Sequence, residues 1–151
     1  MWFSRKQAAR SPPNDAGGAA QALPAQVTTK SRGDAAESAA RAYLVRAGLK
    51  FIEANYRTPG RGGGEIDLVM RAGDGTLVFV EVRQRSGASH GGAAASIGAV
   101  KQRRIVLAAR HYLMRFASAP PCRFDVLLVQ GALGNQLETH IEWLTAAFDA
   151  S

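Results

Sequence analysis

The sequence has little of what cross-links or anchors a chain. A single cysteine, Cys122, stands among 151 residues, so neither an internal disulfide framework nor a cysteine-rich zinc site can be built. The longest uninterrupted apolar run, Ile105-Val106-Leu107-Ala108-Ala109, is about a quarter of what a membrane-spanning helix needs. Arg5, Lys6 and Arg10 near the start are followed by no apolar stretch, so no secretory signal is expected. These absences lead to the expectation of a soluble, cytoplasmic protein with no membrane partner. The length suits one domain that can bury a core without staples.

A second absence is local. Val82 to Phe124 holds no Asp or Glu, yet carries Arg83, Arg85, Lys101, Arg103, Arg104, Arg110, Arg115 and Arg123, a local charge of +8. The rest of residues 33–151 sums to −5, and residues 1–32 to +4, so the overall +7 blends unlike parts. Excess positive charge points to a polyanionic partner.

Residues 1–32 are rich in Ala, Gly, Pro and Gln and show no apolar periodicity, so they read as a disordered basic tail that cannot repay the entropy of ordering. Residues 33–151 read as the folded domain. Ala36, Ala39, Ala40, Tyr43, Leu44 and Ala47 follow helical spacing, with Asp34 as N-cap and Gly48 as stop. Strands are predicted over Phe51–Arg57, Glu65–Arg71 and Thr76–Arg85, the last two joined by the turn Ala72-Gly73-Asp74-Gly75. A small-residue loop, Ser86–Gly98, leads to a helix over Ile97–Phe116. Strands over Arg123–Gln130 and Leu137–Trp143 follow, and then a short terminal helix. The order, αβββαβ with trailing elements, belongs to the mixed α/β class.

Glu65, Asp67 and Val69 alternate onto one strand face and Ile66 and Leu68 onto the other. With a five-residue connection Asp67 lies directly opposite Glu81, about 5 Å away. Paired carboxylates raise each other's pKa unless a cation intervenes. Mg²⁺ suits such a pair, because it takes one or two carboxylates and completes its shell with water and phosphate oxygens. The plainer alternative is that bases across the sheet, such as Arg57 or Arg71, neutralise Glu81. Glu37 is a possible third acid at the edge of the first helix's apolar stripe. The spacing Asp34-Ala35-Ala36-Glu37 equally suits a capping box.

On the second long helix, Lys101, Arg104, His111 and Arg115 form a basic stripe, with Arg103 and Arg110 beside it, that would track a phosphate backbone. His90 and His111 have no Cys or His at metal-ligand spacing. Gly62-Gly63-Gly64 lacks the Lys-Ser/Thr of a phosphate-binding loop and reads as a flexible turn. Arg123 and Asp125 read as a structural ion pair.

Gly33-Asp34-Ala35-Ala36-Glu37, Asn55-Tyr56-Arg57, Gly64-Glu65-Ile66-Asp67-Leu68-Val69, Val78-Phe79-Val80-Glu81-Val82-Arg83 and Arg123-Phe124-Asp125-Val126 occur in the order and spacing of the YraN family of bacterial proteins. The resemblance covers residues 33–148. It implies a restriction-endonuclease-like αβββαβ core with a mixed central sheet flanked by helices, and a site of the PD-(D/E)-x-K pattern. By position, Glu37 would be the acid from the first helix, Asp67 the aspartate and Glu81 the following acid, together holding Mg²⁺ or Mn²⁺. Ile66 stands where the pattern has Pro.

Arg83 stands at the lysine position. Arginine keeps the charge but hardly ever loses its proton, so it can clamp a phosphate without acting as a base. Lys101 is the candidate for a migrated lysine. The implied activity is metal-dependent phosphodiester hydrolysis on DNA, branched or single-stranded, with Arg85, Lys101, Arg103, Arg104 and Arg115 holding the nucleic acid. The competing expectation is a non-catalytic nucleic-acid-binding protein on a degenerate nuclease scaffold. A third is a protein-interaction adaptor.

Overall fold

A computed structural model describes residues 29–85, 97–131 and 139–150. Most of the proposed tail, most of the Ser86–Gly98 loop, and His90 lie outside the described residues. Helix α1 spans Thr29–Arg46, followed by strands β1 (Lys50–Arg57), β2 (Glu65–Arg71) and β3 (Leu77–Arg85). Helix α2 (Ala99–Leu113) and strands β4 (Cys122–Gln130) and β5 (His140–Phe148) complete the order. One five-stranded sheet runs β1-β2-β3-β4-β5; the β3–β4 pair is parallel and the others are antiparallel. The α/β class and the mixed sheet flanked by helices are those of a restriction-endonuclease-like core.

The two helices cover opposite sheet faces. Ala36, Ala40 and Leu44 of α1 pack on Leu68, Met70, Val78, Val80, Leu127 and Val129. Ile105, Ala108, Ala109 and Tyr112 of α2 pack on Ile66, Val69, Leu77, Phe79 and Phe124. β3 and β4 are therefore buried on both faces, which explains their continuous apolar runs. Phe79 is fully buried, with ring centroids 5.7 Å from Tyr112 and 5.6 Å from Phe124. Burial of one such side chain contributes about 2–3 kcal/mol.

Local signals account for most element ends. Gly48, at φ 101°, closes α1: its N–H bonds to the Val45 carbonyl and the Leu49 N–H to that of Leu44, both at 3.0 Å. This is a Schellman ending. The β2–β3 turn is closed by Gly75 N–H to the Ala72 carbonyl, and Asp74 Oδ1 accepts the Thr76 N–H, both at 2.9 Å.

Five expectations are corrected. α1 begins at Thr29, so Asp34 and Glu37 lie inside the helix and no capping box forms there. α2 ends at Leu113, because Met114, Arg115 and Phe116 donate to carbonyls only three residues back and tighten the last turn. The expected terminal helix is strand instead. β5 runs to Phe148, which stacks on Phe124 at 4.9 Å, and buried Asp125 accepts the Ala146 N–H at a bulge where Ala146 has φ 48°. Ladder and ring packing there override alanine's helix preference.

The glycine run is not a loose turn. A Cβ on Gly64 would lie 1.8 Å from the Arg104 carbonyl oxygen, and Gly64 N–H donates to Thr58 Oγ1 at 2.7 Å. The missing side chain lets β2 pass directly beneath the α2 backbone. The fifth correction concerns face alternation. Ile66 packs with Val69 on the α2 side while Leu68 packs on the α1 side. The switch falls at Asp67, where β2 and β3 separate.

Candidate active site

Pairing of β2 with β3 runs from Arg71↔Leu77 to Leu68↔Val80 and stops. The next positions of this register are Asp67 and Glu81, which occupy the fork where the strands part. Instead of a backbone partner, the Val82 N–H has the Asp67 carboxylate, with Oδ2 at 2.8 Å. The five-residue connection needed to oppose the two acids is present as Ala72–Thr76.

Glu81 is 6% exposed and faces the start of α2. There Lys101 Nζ lies 3.5 Å from Glu81 Oε1. That helix start is fixed by Gln102, whose side-chain amide donates to the Ile97 carbonyl at 3.0 Å. Arg57 and Arg71, the alternative partners, are engaged elsewhere: Arg57 with Glu65 at 3.3 Å and Arg71 with the Gly75 carbonyl. Glu81 Oε2 is buried without a hydrogen-bond partner among the described residues.

The electrostatics follow from this crowding. Burial, and then the charge of Asp67, pushes Glu81 up to about 8, with Lys101 opposing. Burial also raises Asp67, against the Val82 N–H, which favours its ionised form. Glu37 reaches the same region from α1. It is raised first by burial and then by Asp67, while a hydrogen bond from Asn55 favours its carboxylate. Carboxyl groups raised by burial and by a like charge make the fork a candidate functional site.

Among the described residues, no three or more His, Cys, Asp or Glu converge as a metal cage. What the site offers is two close carboxylates, one buried oxygen of which has no hydrogen-bond partner among the described residues. That set fits Mg²⁺ or Mn²⁺, which complete their shells with water and substrate oxygens. Asp67 and Glu81 would hold the ion, and Glu37 feels the charge of Asp67 from α1.

The basic residues separate into groups. Arg83 and Arg85 follow Glu81 on β3, opposite Leu128 and Gln130, and are half-buried. Arg103 and Arg104 are exposed on α2. Arg115 lies beyond the helix end, 3.7 Å over the Tyr112 ring and 3.8 Å from Glu53. His111 Nδ1 bonds to the Tyr56 hydroxyl. The sequence stripe is thus divided, with only Lys101 turned to the carboxylates. Arg123 and Asp125 pair at 3.1 Å, and Asp125 also accepts from Trp143 Nε1 at 2.9 Å, a structural cluster joining β4 to β5. Asn55, whose contact with Glu37 escapes a pattern reading, could have been flagged as a residue tolerant of left-handed backbone inside a strand.

No helix among the described residues is long and apolar enough to cross a membrane. The model of the family described as Uncharacterised protein family UPF0102 matches residues 36–129. A UPF0102 protein of Polaromonas naphthalenivorans is 78% identical over the whole of both chains. One of Methylibium petroleiphilum is 64% identical over 83% of this chain and 99% of its own. The match takes in Glu37, Asp67, Glu81, Arg83 and Lys101, and the chain belongs to UPF0102, the YraN family.

Proposed function

We propose that this protein is a Mg²⁺- or Mn²⁺-dependent nuclease that hydrolyses phosphodiester bonds in DNA, with branched or single-stranded DNA as its substrate. The observation that carries this reading is the Asp67–Glu81 pair, half-buried and buried respectively, with Lys101 at 3.5 Å from Glu81. A divalent ion held by Asp67 and Glu81 would supply Lewis-acid stabilisation of charge on the scissile phosphate.

The chain's own groups do the rest. The Val82 N–H orients Asp67, and burial keeps Glu81 from being swamped by solvent. The Lys101 ammonium donates toward the Glu81 carboxylate and a neighbouring water, filling the place left by arginine at the pattern's lysine position. Arg83, permanently charged, holds a non-bridging phosphate oxygen. Water attacks phosphorus and gives up a proton to solvent, the bond to the leaving oxygen breaks, and that oxygen takes up a proton from solvent. Arg85, Arg103 and Arg104 hold the flanking backbone, whereas Arg115 is engaged by Tyr112 and Glu53.

One observation favours the second reading, nucleic-acid binding without turnover: the arginine at position 83 itself. A panel of linear, nicked, flapped and four-way DNA with Mg²⁺ or Mn²⁺ separates the two. The nuclease reading expects cleavage by wild type and an equal or higher rate in Arg83→Lys. Salt-dependent binding with no cleavage in either chain would favour the second reading.

A further inference from the structure

We infer that Asn55 is a positioning residue, whose left-handed backbone and side-chain amide together hold the Glu37 carboxylate toward Asp67; its consequence for metal affinity rests on the proposed function.

The observations are independent of one another. Asn55 has φ 53° inside β1, a conformation that costs most residues about 1 kcal/mol or more and that Asn tolerates best after Gly. The register Ala54↔Leu68 and Tyr56↔Ile66 sets Asn55 opposite Asp67. Ordinary strand alternation would put residues 54 and 56 on one face. Here Ala54 packs with Leu68 on the α1 side, and Tyr56 packs with Ile66 on the α2 side. Both strands therefore change face at the Asn55–Asp67 pair.

That switch has two effects. It frees Asp67 from the ladder, so that its carboxylate meets the Val82 N–H and Glu81. It also leaves Asn55 beside α1, where it lines one cavity with Glu37 and its amide favours the Glu37 carboxylate. Asp34, Glu37, Ser38 and Arg41 line a cavity of about 230 Å³ with Ala54, Asn55 and Leu68. An extended residue at position 55 would keep the strand regular and point the amide elsewhere.

Two substitutions separate the parts. Asn55→Gly keeps the left-handed backbone and removes the amide, whereas Asn55→Ala removes the amide and strains the backbone. By calorimetric Mn²⁺ titration, Asn55→Gly is expected to bind about tenfold more weakly, as is Glu37→Ala. The double variant should be no weaker than either single variant, because both remove one unit. The thermal midpoint of Asn55→Gly should stay at the wild-type value, and that of Asn55→Ala should fall. In amide NMR spectra, the Asn55 side-chain resonances should move on Glu37→Ala.

Resonances unmoved by Glu37→Ala, wild-type Mn²⁺ affinity in Asn55→Gly, or losses that multiply in the double variant would overturn the inference. Absence of Mn²⁺ binding by the wild-type protein overturns the proposed function instead. The positioning of Glu37 is then decided by the amide resonances alone.

Discussion

Lys101 in the first turn of α2 and Glu81 in the middle of β3 meet at 3.5 Å between Nζ and Oε1. Lys101 is half-exposed and Glu81 is buried, so the lysine joins a desolvated carboxylate to solvent. The contact gives the site a mobile, three-donor cation that an arginine at position 83 cannot imitate.

Replacing that lysine is the first test of its role. Lys101→Met is expected to lower the single-turnover rate of DNA cleavage by about 10²–10³-fold, the usual cost of losing one charged donor at the reacting group. DNA affinity at fixed salt should change far less, since one phosphate contact at most is lost. Equal cleavage by Lys101→Met and wild type would remove Lys101 from the chemistry.

The raised acid makes stability depend on pH. Glu81 goes from an ordinary 4.5 to about 8 in the fold, so over that interval the folded state binds more protons than the unfolded one. Metal-free stability from this group is full below about pH 4.5 and is lost as pH rises through about 8, at about 1.4 kcal/mol per unit where the two states differ by a whole proton. Glu81→Gln cannot ionise and should flatten the profile, melting several degrees above wild type at pH 8.5. Mn²⁺ should restore the wild-type midpoint there and leave that of Glu81→Gln unmoved. A steeper alkaline loss in Glu81→Gln would contradict this.

Gly64 carries a purely steric prediction. Its absent Cβ would sit 1.8 Å from the Arg104 carbonyl oxygen, which is backbone and cannot rotate away. Gly64→Ala must push α2 off the sheet and is expected to cost about 3 kcal/mol. Gly73→Ala, with nothing within 4 Å of its Cβ, is the control and should stay within about 0.5 kcal/mol. Denaturant midpoints followed by circular dichroism compare the two.

Asp125 is fully buried and accepts from Arg123 Nε, Trp143 Nε1 and the Ala146 N–H. Asp125→Ala leaves those donors without their acceptor and releases the β5 bulge. A loss of about 3–5 kcal/mol is expected by chemical denaturation, with hydrogen exchange rising first in β5. Loss confined to below 1 kcal/mol would show that the cluster is not what holds β5 to β4.

Local chemistry made much of the fold legible. Gly48 ends α1, Asp74 and Gly75 shape the hairpin, and counting across a five-residue connection brings Asp67 opposite Glu81. What was hidden depends on partners distant in the chain. Ala146 belongs to a strand because of Asp125, and His111 and Arg115 leave the basic stripe because Tyr56, Tyr112 and Glu53 engage them. No periodicity rule encodes the face change at Asn55 and Asp67, since it breaks the alternation on which such rules rest. The meeting of Lys101 with Glu81 depends on where the connection after β3 delivers α2, which a run of small residues does not reveal.

The most direct test is single-turnover cleavage of an end-labelled four-way DNA junction, with Mn²⁺ or with chelator, by wild type, Asp67→Ala and Glu81→Ala. Wild type is expected to cut only with the metal, and both variants to bind the junction as tightly as wild type without cutting it. Wild-type cleavage in chelator, or undiminished cleavage by both variants, would contradict a metal-dependent site built on Asp67 and Glu81.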